Sequence, residues 1–142
     1  MRGVCVTDQS QLDASILNAV ADALIYSDRS GAITRWNRAS TALFGFTAED
    51  ALGQNLDLII PEHLRAAHWK GFEAALANRT MKPAGRPTLT RALHKSGRKL
   101  YIEMTFALVR DAAGNVQGSV AMARDVTERV ERERAAKTSQ TS

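Results

Sequence analysis

The chemistry this chain could perform centres on one histidine. Along residues 62–77, Leu64, His68, Phe72, Ala75 and Leu76 recur at three- and four-residue steps, the spacing that lines side chains up on one face of a helix. His68 therefore falls in the middle of an apolar stripe. An imidazole there must find a hydrogen bond, hold a ligand, or leave a polar group unpaired at a cost of about 1–3 kcal/mol. A neutral imidazole is also an axial ligand for haem iron. The plainer alternative is a core histidine bonded to a backbone carbonyl or facing an empty pocket. His63, in the first turn of the same helix, and His94, beside a turn, carry less weight. No pair of histidines has HxH or HxxxH spacing, so a zinc site is not expected. Cys5 is the single cysteine, which leaves no intrachain disulfide and no CxxC pair. Without a nucleophile–base motif, phosphate loop or dinucleotide fingerprint, the chain is not expected to be an enzyme.

The elements that must position His68 follow from local patterns. Residues 11–20 read as a short amphipathic helix with Leu12, Ile16, Leu17 and Val20 on its stripe. Strands are expected at 22–27 and 32–36, joined by the turn Asp28-Arg29-Ser30-Gly31. Asn37 can cap a helix over 38–44 that ends at Gly45, and Thr47 can cap another turn with Glu49 and Asp50 near its positive end. Pro61 opens the long helix at a position that tolerates proline. A loop over 78–87 with Pro83, Gly85 and Pro87 leads to strands at 88–94, 99–109 and 116–124, with turns at 95–97 and 111–115. Residues 127–137 are helical and charged, with Glu128–Arg132 and Arg129–Glu133 pairs at i,i+4, and the last five residues read as a polar tail. This order predicts an α+β chain, an antiparallel sheet with helices gathered on one face.

Two of these strands bear on the site. Along 99–109, Leu100, Ile102, Met104, Phe106 and Leu108 alternate with Tyr101, Glu103, Thr105, Ala107 and Val109. The first set is expected to face inward, as ordinary core or as pocket wall, and Met104 also has a soft sulfur that could reach a metal. Along the last strand, Ser119, Ala121 and Ala123 alternate with Val120 and Met122. With the small set inward, room is left beside the helices for a flat ligand, and Val120 and Met122 lie on the outer face.

Composition sets the bounds. A chain of 142 residues, 44% of them hydrophobic, suits one domain able to bury a core. The net charge is +4, but the arginines are scattered and the densest charge run, 128–134, alternates in sign. A nucleic-acid interface is not expected, because a basic footprint clusters on one face. No apolar run approaches the roughly 20 residues of a membrane span, residues 1–10 lack the apolar core of a secretory signal, and a reducing cytoplasm fits the single cysteine.

Taken in order, NAVADALIYSD, GAITRWN, FGFTAEDALGQNLDLIIPE, LHKSGRKLYIEMTFALVRD and RDVTERVERE resemble the sensory PAS domains over residues 11–130. Ser96 stands where many relatives have Asp in the turn, and serine serves a turn as well. The resemblance implies the PAS fold: a five-stranded antiparallel sheet of order 2-1-5-4-3, helices on one face enclosing a pocket, and flanking N- and C-terminal helices. It divides the chain into a disordered 1–10, a PAS domain over 11–126, and the start of a C-terminal signalling helix with its tail over 127–142.

The resemblance also suggests an occupant. The haem-binding PAS domains of nitrogen-fixation oxygen-sensor kinases, and of a haem-regulated cyclic-di-nucleotide phosphodiesterase, are similar here. Their proximal histidine follows the helix-opening proline at the spacing Pro61 has to His68, and the distance on to Gly97 is free of gaps. This implies haem b, with His68 as the iron ligand. Leu64, Phe72, Thr88, Ile102, Met104, Phe106 and Ala121 would surround it. Gly85 matches a glycine before the distal residues. Arg86 falls where the phosphodiesterase has an axial methionine, and Thr88 where both sensors have an arginine that can contact oxygen. Arg86 is then the candidate distal donor, or else a solvated loop arginine. Cys5 lies outside the domain, so neither a flavin–cysteinyl adduct nor a chromophore thioester can form in the pocket. The alternatives are a cofactor-free dimerisation or interaction module, and another small ligand, non-covalent flavin included. The closing Arg124-Asp125-Val126-Thr127 resembles the family motif that couples sheet to effector helix. As implied partners the chain has a second copy of itself, joined through the N-terminal helix and outer sheet face, and an effector in cis or trans: a kinase, a cyclase or phosphodiesterase, or a transcription regulator.

Overall fold

A computed structural model describes residues 6–79 and 86–141. Residues 1–5 of the expected disordered segment, and Pro83 and Gly85 of the expected loop, lie outside the described residues. The order is α1 (Val6–Ala19), β1 (Ala23–Asp28), β2 (Ile33–Trp36), α2 (Arg38–Phe44), α3 (Ala48–Ala51), a 3-10 turn (Leu56–Ile59), α4 (Glu62–Asn78), β3 (Thr88–Leu93), β4 (Lys99–Arg110), β5 (Val116–Asp125) and α5 (Thr127–Thr141). The strands form one antiparallel sheet of order β2-β1-β5-β4-β3, as expected, and every strand boundary lies within one residue of its expected place.

The reversals form as the turn residues dictate. Asp28 Oδ1 accepts hydrogen bonds from the Ser30 and Ala32 backbone N–H groups at 2.9 and 3.1 Å and from the Ser30 hydroxyl at 2.6 Å, while Gly31 supplies the positive φ of +86°. Asp111 repeats the arrangement, accepting from Ala113 and Asn115 N–H groups, both at 2.9 Å. The edge strand β2 is covered by the segment after α3, through Ile33 N–H to Gln54 O (2.8 Å) and Gly53 N–H to Ile33 O (2.7 Å), which removes an open edge.

The expected faces are the observed faces. Leu100, Ile102, Met104, Ala123 and Ser119 are buried on the inner side, and Val120 and Met122 are half-buried on the outer side. Leu100, Ile102, Met104 and Ala123 join Ile25, Ile33, Trp36, Phe44 and Ile59 in the core between sheet and helices. Two helices depart from the sequence reading. α1 begins at Val6 rather than residue 11, because polar residues at 7–10 continue a helix without adding an apolar period, and Asp8 suits its first turn. Its stripe is not buried within the chain: Leu12 is 60% and Ile16 51% exposed, and Leu17 and Val20 are half-buried. α5 continues to Thr141 where a polar tail was expected.

Asn37 joins three elements. Its Oδ1 accepts from the Ser40 N–H (3.0 Å), capping α2, and from the Leu24 N–H (2.8 Å), while its Nδ2 donates to Leu17 O at the end of α1 (2.7 Å) and to Asp22 O (3.1 Å). Asn37 is buried, so water cannot replace these bonds. Asn37→Ala should destabilise the chain by about 2–4 kcal/mol, as a lost cap plus stranded backbone groups, measured by urea unfolding. Asn37→Asp should not rescue it, since the two donors to carbonyls are lost. Near-wild-type stability of either variant would show that the junction is held otherwise.

Candidate functional site

The long helix α4 stands across the sheet and is tied down near its N-terminal end. Pro61 precedes its first residue. One turn in, Arg65 Nε donates to Ile60 O at 3.0 Å and its Nη2 to Asp57 O at 3.3 Å. A further turn along, Trp69 Nε1 donates to Asp57 Oδ1 at 2.8 Å. The Trp69 ring lies where a side chain at Gly31 would be, so it seats against the β1–β2 turn. Along its inward face, from Leu64 onward, helix and sheet stand apart around a cavity of about 700 Å³, within the range of sites that hold a small molecule or cofactor.

The sequence-derived site residues converge on this cavity. Leu64, His68 and Phe72 line it from α4, Thr88 from β3, Ile102, Met104 and Phe106 from β4, and Ala121 from β5. Arg86 does not: it is exposed just before β3 and is not part of the wall. Sequence reasoning missed Ile25, Ile59, Ile60 and Thr90. The period-two alternation of β1 and β3 signals Ile25 and Thr90, whereas Ile59 and Ile60 come from the 3-10 turn and the residue after it, which have no such period. Arg91 also borders the cavity, yet its guanidinium sits over the Tyr101 ring, 5.7 Å from the centroid, and Tyr101 belongs to the outer set of β4.

His68 is the polar centre of the α4 wall. Its ring packs edge-on to Trp69 with centroids 4.7 Å apart and tilts against Phe72 at 6.0 Å. Its Nδ1 is sealed from solvent with no hydrogen-bond partner. The expected alternative of a backbone carbonyl on this atom is therefore not what the structure shows. Burial holds the imidazole pKa below its ordinary 6.5, and the Asp57 charge opposes that shift only in part. The ring is a neutral, unpaired base on an apolar wall, which is the state in which imidazole ligates a metal. Among the described residues no three His, Cys, Asp or Glu side chains group together to hold a metal ion. His94 is elsewhere, its Nδ1 3.0 Å from Ser96 Oγ. His63 is exposed.

Comparison with known proteins agrees with this architecture. The family model described as PAS fold matches residues 11–126. An uncharacterized protein of Azorhizobium caulinodans is 34% identical over 128 residues, covering 89% of this chain. The sensor protein FixL of Bradyrhizobium diazoefficiens is 39% identical over 54 residues, 38% of this chain. The chain spans only 16% and 11% of the lengths of these two relatives. Among solved structures, the PAS domain of a protein from Colwellia psychrerythraea superposes with a TM-score of 0.72 at 25% identity, covering 85% of this chain and 99% of that one. Among the described residues no helix is long and apolar enough to cross a membrane.

The lowered pKa of His68 has a sign that can be checked. Its native value lies below the unfolded one, so between the two the unfolded chain binds more protons and stability rises with pH. The contribution is complete above the unfolded pKa and is lost as pH falls below it. Wild-type stability in urea should drop as pH goes from about 7 to about 5. His68→Phe should flatten that slope, and equal slopes in the two proteins would refute the assignment. The carboxylates held low, Asp28 and Asp111 by hydrogen bonds within their turns and Asp50 by its bond from Lys95 and its cap on Thr47, act at lower pH and do not confuse the comparison.

Proposed function

Because this chain belongs to the PAS family, we propose that it is a signal-input module whose cavity holds haem b through His68 and reports a diatomic gas or a redox change to an effector. The observation that carries this reading is a cavity-lining imidazole to which the fold makes no hydrogen bond, so that Nε2 is not engaged by the protein. One side chain is too few ligands for a bare ion, whereas haem brings its own equatorial nitrogens and asks the protein for an axial one. The ring nitrogen left for iron is Nε2, since Nδ1 is enclosed. The spacing of Pro61 and His68 and the partial likeness to a sensor protein support the same reading.

Bound haem would supply an iron centre that takes gases and changes redox state. The chain's own residues do the rest. Leu64, Phe72, Ile102, Met104 and Phe106 exclude water, and Ala121 leaves room for a flat group. Thr88 lines the wall where the resemblance puts an arginine, and Arg86 is exposed, so a distal role for Arg86 requires its side chain to swing inward. PAS domains serve as sensory and interaction modules, and this one is proposed as non-catalytic, cytoplasmic, with its domain over 11–126 and its output through α5. The effector is a kinase, a cyclase or phosphodiesterase, or a transcription regulator, in cis or trans.

Self-association is part of the proposal. Leu12 and Ile16 on α1 are exposed, and Val120 and Met122 are incompletely covered on the outer sheet face. A second copy would bury both patches. Light scattering should give a dimer, and Leu12→Glu combined with Ile16→Glu a monomer; a wild type that stays monomeric at every concentration rejects this part.

Haem titration tests the whole reading. The wild type should take up one equivalent and show a sharp band at about 400 nm. His68→Ala should lose stoichiometric uptake while keeping its fold by circular dichroism, and His63→Ala and His94→Ala should keep the spectrum. A normal haem spectrum in His68→Ala would overturn the ligand assignment. A wild type that stays colourless with ample haem would leave the cofactor-free interaction module.

A further inference from the structure

We infer that His68 is a releasable iron ligand: nitric oxide, unlike carbon monoxide or dioxygen, makes it let go of the metal, and the freed imidazole rests on Trp69 and Phe72. The inference rests on the haem reading and names the gas and the response within it. A neutral imidazole has one nitrogen that carries a proton and one that does not. With Nε2 on iron, the proton is on Nδ1. A metal-bound histidine ordinarily gives that proton to a carboxylate, a carbonyl or water, which fixes the ring and makes it a stronger electron donor. His68 Nδ1 is sealed from solvent, and the fold offers it no partner. Asp57 is already engaged: its Oδ1 accepts from Trp69 Nε1 at 2.8 Å and stands 4.0 Å from Arg65 Nε. His68 is therefore a weak donor, and its bond to iron is correspondingly weak.

The ligand-free ring shows where the released one goes. It lies edge-on to Trp69, with centroids 4.7 Å apart, and tilted against Phe72 at 6.0 Å, while Trp69 and Phe72 meet each other at 5.2 Å. The three rings form a closed triangle. Trp69 is itself held by Asp57 and seated at Gly31, so the freed His68 has a fixed place to occupy without any shift of α4.

The gas follows from the electrons. Nitric oxide brings an unpaired electron into the orbital along the iron–Nε2 axis and so weakens the bond on the far side of the metal. Carbon monoxide and dioxygen, whose bound forms are spin-paired, do not. The bond that forms is iron to nitric oxide, the bond that breaks is iron to Nε2, and its electron pair stays on Nε2. No oxidant or proton is consumed. The cavity wall also favours nitric oxide over dioxygen. Bound dioxygen carries partial negative charge and gains from a cation beside it. Arg86 is exposed outside the wall, and the Arg91 guanidinium sits over the Tyr101 ring, so neither meets a gas in the cavity.

The test uses the haem-loaded wild-type chain, reduced and oxygen-free. Resonance Raman should place its iron–histidine stretch with ferrous haem that carries an imidazole in aprotic solvent, and below haem whose imidazole is hydrogen-bonded. With nitric oxide, electron spin resonance should show hyperfine splitting from the nitric oxide nitrogen alone, and heavy-nitrogen labelling of histidine should leave the spectrum unchanged. With carbon monoxide, the iron–histidine stretch should reappear as soon as the gas is flashed off, because His68 has stayed on the metal. Splitting from a histidine nitrogen in the nitric oxide complex overturns the inference and leaves the haem reading intact. A stretch in the hydrogen-bonded range also overturns it, because Nδ1 then has an acceptor once the cofactor is in place. Loss of the histidine in the carbon monoxide complex overturns the choice of gas. If the wild type takes up no haem, both readings fall, and the absent haem band identifies that case.

Discussion

The hydrogen bond from Trp69 Nε1 to Asp57 Oδ1 decides where the long helix stands. A helix with an apolar stripe is driven onto the nearest apolar sheet, and close packing is the default result. Here α4 meets a rigid stop first. Trp69 fills the space that Gly31 leaves open, and Arg65 ties the same end of the helix to Ile60 and Asp57. The 3-10 turn that carries Asp57 is itself pinned by Asn55, whose Oδ1 accepts from the Asp57 N–H at 2.8 Å. The helix is thus fixed at its N-terminal half, and its inward face, from Leu64 to Asn78, lines a cavity instead of closing on the sheet. Gly31 is indispensable twice over, for a turn with positive φ and for the indole that rests on it.

Against this background the unsatisfied atoms stand out. Folded chains pair nearly all their buried polar groups, and this one does so thoroughly at Asn37, Ser40 and the Asp28 and Asp111 turns. Among the described residues, the buried side-chain atoms left without a partner are His68 Nδ1 and Ser27 Oγ. His68 lines the cavity, and Ser27 neighbours a residue that does. A core built for stability alone gains from replacing such groups with apolar ones. Local departure from otherwise consistent chemistry is what a binding site looks like.

The sheet was legible in the sequence because its strands carry their own signals: alternation along β4 and β5, and Asp- and Gly-bearing turns between β1 and β2 and between β4 and β5. Helix phase put His68 on the inward stripe for the same reason. The start of α1 was not legible, since polar residues neither extend nor break an apolar period. The exposure of Leu12 and Ile16 was hidden too, because a periodic stripe says that a helix has an apolar face and not what covers it. Arg86 was placed by alignment at the edge of a loop, where neighbouring strand geometry exerts no control over direction.

The strand β4 touches both the cavity and α5. Its inward residues Ile102 and Met104 line the cavity, and its alternate residues Tyr101 and Glu103 seat α5. Thr127 Oγ1 accepts from the Tyr101 N–H at 2.9 Å, Val126 N–H donates to Tyr101 O at 2.9 Å, and Arg129 reaches Glu103 at 3.3 Å. The guanidinium groups of Arg91 and Arg134 each stand over the Tyr101 ring, 5.7 and 4.8 Å from its centroid. The ion pair is partly exposed and worth little alone; the backbone bonds and the buried Val130 give the contact its rigidity. Because successive side chains of a strand point to opposite faces, a shift of the backbone at Ile102 or Met104 carries Tyr101 and Glu103 with it. On the proposed function, a change of occupant in the cavity would have a path to α5 through adjacent residues of this single strand.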